Sequence, residues 1–516
     1  MERQDDVTRR TVVPRWRAFR ETPLHELRSM TTKSTTRDRP SHILDAAVRQ
    51  FEKSPTAYTA AEVADAVSLL GHDDRASAAL RYLQERRDAL MPMVTERFTQ
   101  AVKQHSHPAS PTELRGAIAQ KRKSLIDQPR NSIGHVEIAR LYAVAGQAKA
   151  ADRHMEMAVK ISPDSRFVLR SAARLFVHYD RPEKALYFLQ RSNSIKHDPW
   201  LMAAEVAVAD SFGERQEFGI RQLKRISGLE HASINYSELA SALGALEDRN
   251  GAHKIARKLI RRSLDHPTEN SLAQAVWMST KAKHQFVDLN LNPSEQAYEA
   301  GVFQAIHMKE YQRADRFAWN WLNDEPFSSG PAVQGSFINC TFTRSYSRAL
   351  AFCERGLISN PDDDTLQNNR IFSLIMCGRL DEAQKILPVQ GKLVHDPQRP
   401  IFDLALHGLW HFKSGNFSEG RRFYREAAER ALPKYPNLYA SAISHWLENE
   451  VVSGSVDRAE FEQLSFQLED RLKKLKADLT IWSATRDFLQ LQYSAPTQVR
   501  TIVNPRTGEE IRFIIR

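Results

Sequence analysis

The segment HVEIARLYAVAGQAKAADRHMEMAVKISPDS, beginning at His135, carries apolar residues at helical spacing in two runs separated by a turn. Tyr142 stands late in the first run and Gly146 marks the turn. Ala151, Met155 and Ala158 share one face of the second run, and Pro163 closes it. Glycine accepts the left-handed backbone that ends a helix, and proline cannot extend one. The pattern predicts a helical hairpin. It returns 34 residues later, where Phe176 answers Tyr142, Asp180 answers Gly146, Ala185 answers Ala151 and Leu189 answers Met155.

The small residue of the second helix recurs at Ala76, Ala117, Ala151, Ala185, Gly219, Ala314, Ala349, Ala383 and Gly420. Four positions on stand Leu80, Lys121, Met155, Leu189, Leu223, Ala318, Cys353, Leu387 and Tyr424, apolar or small except for Lys121. Turn glycines fall at Gly71, Gly146, Gly378 and Gly415, and prolines at Pro129, Pro163, Pro326 and Pro361. Antiparallel helices approach closely only where a small side chain permits it, and the larger residue one turn later fills the gap. Spacing and residue classes together resemble the tetratricopeptide-repeat family. The resemblance implies an all-α fold, a right-handed α-solenoid of stacked antiparallel hairpins with partners received on its concave face. No hairpin of that kind buries its apolar faces alone, so neighbours stack into a continuous core.

The period divides the chain. Residues 1–40 read as a flexible basic arm and 41–290 as an N-terminal array. An irregular joint is expected near 230–294, with a weaker unit around Ile255 and Ala256, a helix-like stretch from Ser271 to Phe286, and then VDLNLNPSEQ. A C-terminal array covers 295–436, amphipathic capping helices cover 437–494, and 495–516 reads as two short strands, TIV and IRFIIR, around NPRTGEE.

Composition changes this picture little. The 516-residue chain has a net charge of +10, which favours acidic partners over a long surface without naming one. Its three cysteines, Cys340, Cys353 and Cys377, lack metal-ligand spacing and read as buried thiols. No apolar run has bilayer length, and the charged N-terminus is unlike a secretory signal, so a cytoplasmic location is expected without a membrane span. No cofactor, metal or catalytic constellation is expected. RNSIGH, from Arg130, resembles the arginine–histidine spacing of helical HEPN ribonucleases, but RRSLDH repeats it from Arg261, as an arginine-rich chain readily does.

Three candidate surfaces follow, the first and last of them if first helices line the concave side. Arg140, Arg170, Arg174 and His178 form a basic strip suited to carboxylates or phosphates. Lys254, Arg257, Lys258, Arg261 and Arg262 form a second basic face on HKIARKLIRR. Farther on, Phe303, Ile306, Ile338, Phe342, Phe372, Ile375, Met376, Leu409 and Phe412 would make an apolar trough for a partner peptide. The Lys/Asn/Arg carboxylate clamp of some tetratricopeptide co-chaperones is not reproduced around Asn368 and Asn369. The expected function is a non-catalytic scaffold or regulatory adaptor for a protein or peptide. The alternatives are nucleic-acid association through the basic block and arm, or a subunit that senses or inhibits a separately encoded enzyme.

Overall fold

A computed structural model of the chain describes residues 12–17, 40–70, 76–86, 111–215, 217–231, 233–281, 297–388, 398–494, 498–503 and 510–515. Between residues 40 and 494 the described chain holds 24 α-helices and no strand. Two compact units emerge, one of Met1–Ala332 with Arg355–Pro361, the other of Val333–Glu354 with Asp362–Arg516.

In the first unit, Ser132–Val144, Arg166–His178, Pro199–Phe212, Ile234–Arg249 and Glu269–Lys281 form a row in which each helix packs on the next. Ala148–Ile161, Pro182–Arg191, the short helical pieces within Gly219–Gly228, and His253–Ser263 lie between them in sequence, each packed against its neighbours in the row. Local chemistry sets the ends. Asn131 accepts a hydrogen bond from the Gly134 amide, and Asp198 accepts one from the Trp200 amide at 2.9 Å. At the predicted turns Gly146 and Asp180 adopt φ of 69° and 58°, closed by 2.8 Å bonds from the Gln147 and Arg181 amides to Tyr142 and Phe176. Aspartate tolerates this conformation, so Asp180 can replace the glycine. Gly146 has a further reason, since a Cβ there would lie 2.8 Å from the Ile358 carbonyl oxygen.

The small-residue column does what close helix approach requires. Ala151, Ala185 and Ala314 are buried, and a Cβ on Gly219 would fall 2.2 Å from Val206 Cγ2. The expected joint near 230–294 is regular through Ser263, because Ile234–Arg249 and His253–Ser263 make an ordinary hairpin. There the close approach comes from the first helix, where Gly244 faces Ile260, so a search of second helices sees the pattern weaken. Glu269–Lys281 then packs on Tyr298–His307, which pairs with Tyr311–Asp324. The compact division therefore falls at Ala332 rather than near residue 290. Gly71, VDLNLNPSEQ and all of the first 39 residues except 12–17 lie outside the described residues.

The second unit repeats the arrangement. Asp364–Met376, Arg399–Lys413, Pro436–Val452 and Thr480–Ser494 pack successively, with Leu380–Ile386, Phe417–Ala431 and Arg458–Lys474 as intervening helices. Gly420 approaches Phe412 so closely that a Cβ would sit 2.5 Å from its ring. Beyond Ser494 the backbone of Gln498–Val503 runs antiparallel to Glu510–Ile515, with Gln498 opposite Ile515.

Candidate functional site

Helix Arg166–His178 presents Arg166, Arg170 and Arg174 on one face, and all three are buried. They could be buried only with acceptors, because an unpaired internal charge is strongly unfavourable. Arg166 donates to Asp198 at 2.6 Å. Arg170 donates to Glu238 at 2.7 Å and lies over the Trp200 ring at 4.5 Å, while Asn270 donates to the other Glu238 oxygen at 2.9 Å. Arg174 reaches Glu325 and Ser328, both at 3.3 Å, and Trp321 donates its indole N–H to Glu325 at 3.0 Å. Burial alone would raise the Glu325 carboxyl, but Arg174 and Arg15 outweigh it and pull it down to about 2. Burial and then Arg174 lower His178 to about 4, so its imidazole is neutral near pH 7. Arg140, half-buried, donates to the Asp324 carbonyl at 2.9 Å.

The predicted basic strip is therefore a neutralised internal network. Its carboxylates come from distant helices and helix ends of the same unit, and the expected anion surface is filled by the protein's own acceptors. Arg262 does not belong to the exposed basic face either: it is buried and donates to the Ile226 carbonyl at 2.6 Å. Lys254, Arg257, Lys258 and Arg261 remain exposed along an open depression of about 600 Å³, with Glu230 and Asp265 at its edge.

The apolar trough is overturned as an exposed surface. Ile338, Ile375, Leu409 and Phe412 are buried, and Phe303, Ile306, Phe342, Phe372 and Met376 are half-buried. Phe303 and Ile306 belong to the first unit and the other seven to the second. Phe303 packs edge-on against Trp277 at 4.8 Å, and Phe372 lies tilted against His445 of Pro436–Val452 at 5.2 Å. The helices expected to cap the end cover part of this surface instead. Cys340 and Cys353 are buried, as expected, and Cys377 is half-buried. Burial pushes the Cys340 thiol up to about 11 and raises Cys353 further, which keeps both protonated.

What the sequence did not disclose is Val12–Arg17. This stretch of the expected arm has no regular secondary structure and is lodged in the first unit, with Val13 and Trp16 buried among the apolar residues of its core. Arg17 grips Asp324 with two bonds of 2.7 and 3.0 Å and donates to Glu269 at 2.8 Å. Arg15 reaches both carboxylates at 3.3 Å. Trp16 packs on Phe327 at 5.2 Å, and the Val12 amide donates to Gln274 at 2.7 Å. Val12 and Pro14 border a crevice shared with Ala203, Glu238, Ser241 and Asn270, which spans three successive helices of the row. No local pattern in the sequence marks this stretch, because Glu269, Asp324 and Gln274 lie more than 250 residues away from it. Glu205 in PWLMAAEVAVADSF is fully buried and accepts from the Phe218 and Gly219 amides, each at 2.9 Å.

Among the described residues no cluster of His, Cys, Asp and Glu is placed to hold a metal ion, and no helix is long and apolar enough to cross a membrane. The chain matches no known protein-family model, and no curated protein is significantly similar to it.

Proposed function

We propose that the chain is a non-catalytic protein-interaction module of the tetratricopeptide type, an α-solenoid whose first-helix row receives polypeptide from a partner. One observation carries the reading. A stretch without helix or strand, Val12–Arg17, lies across successive helices of the first unit and is held through its side chains and one amide. That is how a repeat protein binds a peptide: carboxylates take the cations, an aromatic ring takes the wedge, and alternate side chains supply specificity. The hairpin turns and the buried small-residue column support the repeat type.

A second reading rests on the exposed Lys254, Arg257, Lys258 and Arg261, which could track a phosphate backbone. Both are tested by purifying the tagged full chain from its host at about 0.1 and about 0.5 M salt, since phosphate contacts weaken steeply with salt. The protein-binding reading expects a stoichiometric protein retained at the higher salt. Nucleic acid recovered alone at low salt, and lost at high salt, would overturn it in favour of the second.

A further inference from the structure

Val12–Arg17 has no helix or strand of its own, yet both of its arginines are buried in ion pairs with Glu269 and Asp324. Its recognition follows the two-residue alternation of an extended chain. Arg15 and Arg17 point together at Glu269 and Asp324, and Trp16 points the other way onto Phe327. Two cations meet two carboxylates whose side chains are 13 % and 11 % exposed. With the segment seated, those carboxylates are shielded from water and neutralised by it, so an occupant of the cleft is favoured when it carries cations at this spacing.

The cis occupant fits imperfectly. The Trp16 indole N–H is buried and finds no acceptor among the described residues. An unsatisfied buried donor is unfavourable, and a phenyl ring at the same place would meet Phe327 without one. In sequence, residues 18–39 separate Arg17 from the next described helix, Pro40–Lys53.

We propose that this cleft is a receptor site for an extended Arg–aromatic–Arg segment of a partner protein, and that Val12–Arg17 is the cis occupant such a segment replaces. The inference rests on the protein-binding reading and adds to it a ligand chemistry and a built-in competitor. Phosphates and acidic peptides are excluded from the cleft by Glu269, Asp324 and Glu325. A tethered segment competes at an effective concentration on the order of mM, so the intact chain resists weak ligands and yields to tight ones.

The test uses the full chain and a fluorescently labelled peptide, Val-Val-Pro-Arg-Trp-Arg, read by anisotropy. In Arg15→Glu/Arg17→Glu the cis segment is repelled by Glu269 and Asp324, and the peptide is expected to bind at least about tenfold more tightly than to the unaltered chain. Adding Asp324→Lys should abolish that gain. A peptide with Phe in place of Trp should bind at least as well. Should the double reversal fail to fold by circular dichroism, Arg17→Ala carries the same comparison. Equal binding to the altered and unaltered chains, or no binding to a folded altered chain, overturns the proposal and leaves Val12–Arg17 as a structural clasp. Concentration-dependent dimers that exchange Val12–Arg17 would overturn it too, by making the occupant a second copy. If the peptide fails while a protein still co-purifies at high salt, this inference falls and the protein-binding reading stands. If neither binds, both fall.

Discussion

Arg174→Met removes one charge from a carboxylate that cannot reach water. The Glu325 side chain is 2 % exposed, and its descent from 4.5 to about 2 measures how strongly its neighbours favour the charged form after burial has opposed it. That drop corresponds to roughly 3 kcal/mol. Arg174 is the largest favourable neighbour, while the Trp321 bond and the Arg15 charge survive its loss. Breaking a buried pair usually costs about 3–5 kcal/mol, and the surviving partners move the expectation to roughly 2–3 kcal/mol. Arg174→Met/Glu325→Gln should recover at least about 1 kcal/mol of this, because the stranded charge is gone. Two compact units need not unfold together, so a whole-chain denaturation midpoint is ambiguous. Native-state hydrogen exchange on peptides covering Arg166–His178 and Pro199–Phe212 reads the first unit directly. The reasoning is refuted if Arg174→Met lowers their protection by less than about 0.5 kcal/mol, or if the double variant equals the sum of the singles.

Three other outcomes follow from the same geometry. His178 has a folded pKa of about 4 against an ordinary 6.5, so the unfolded chain binds the extra proton first. Stability should be constant above about pH 6.5 and fall by up to roughly 3 kcal/mol as pH drops toward 4; His178→Gln should remove much of that slope in exchange measurements at several pH values, and an unchanged slope counts against the assignment. Phe412→Ala empties a buried site against Gly420 and Tyr424 and should destabilise the second unit by about 3 kcal/mol, visible as lost protection in Arg399–Lys413; a stable variant with only a binding defect would restore the exposed-trough expectation. Reversing Lys254, Arg257, Lys258 and Arg261 to Glu should change stability by less than about 0.5 kcal/mol per site, since all four are exposed, and a large loss in thermal melting would show an unrecognised structural role.

Helices, their turns and the small-residue contacts were legible in the sequence because each depends on residues within one or two hairpins. Tyr142, Gly146 and Ala151 specify a bend and a crossing wherever the chain is placed, and Phe176, Asp180 and Ala185 do so again. Asp180 even matches Gly146 in backbone conformation. The direction a charged face looks is another matter. Four-residue spacing of Arg166, Arg170 and Arg174 is equally consistent with solvent and with buried acceptors. Their partners stand 32, 68 and 151 residues away, at Asp198, Glu238 and Glu325. The same holds for Phe372, half-covered by His445 from a later helix, and for Arg17, whose grip on Asp324 spans 307 residues. Local pattern determined that helices form and where they turn, because hydrogen-bond geometry and side-chain volume act over a few residues. Only the tertiary structure decided which charges are neutralised, which aromatics are covered and what fills the cleft, because those outcomes depend on groups brought together from opposite ends of a unit.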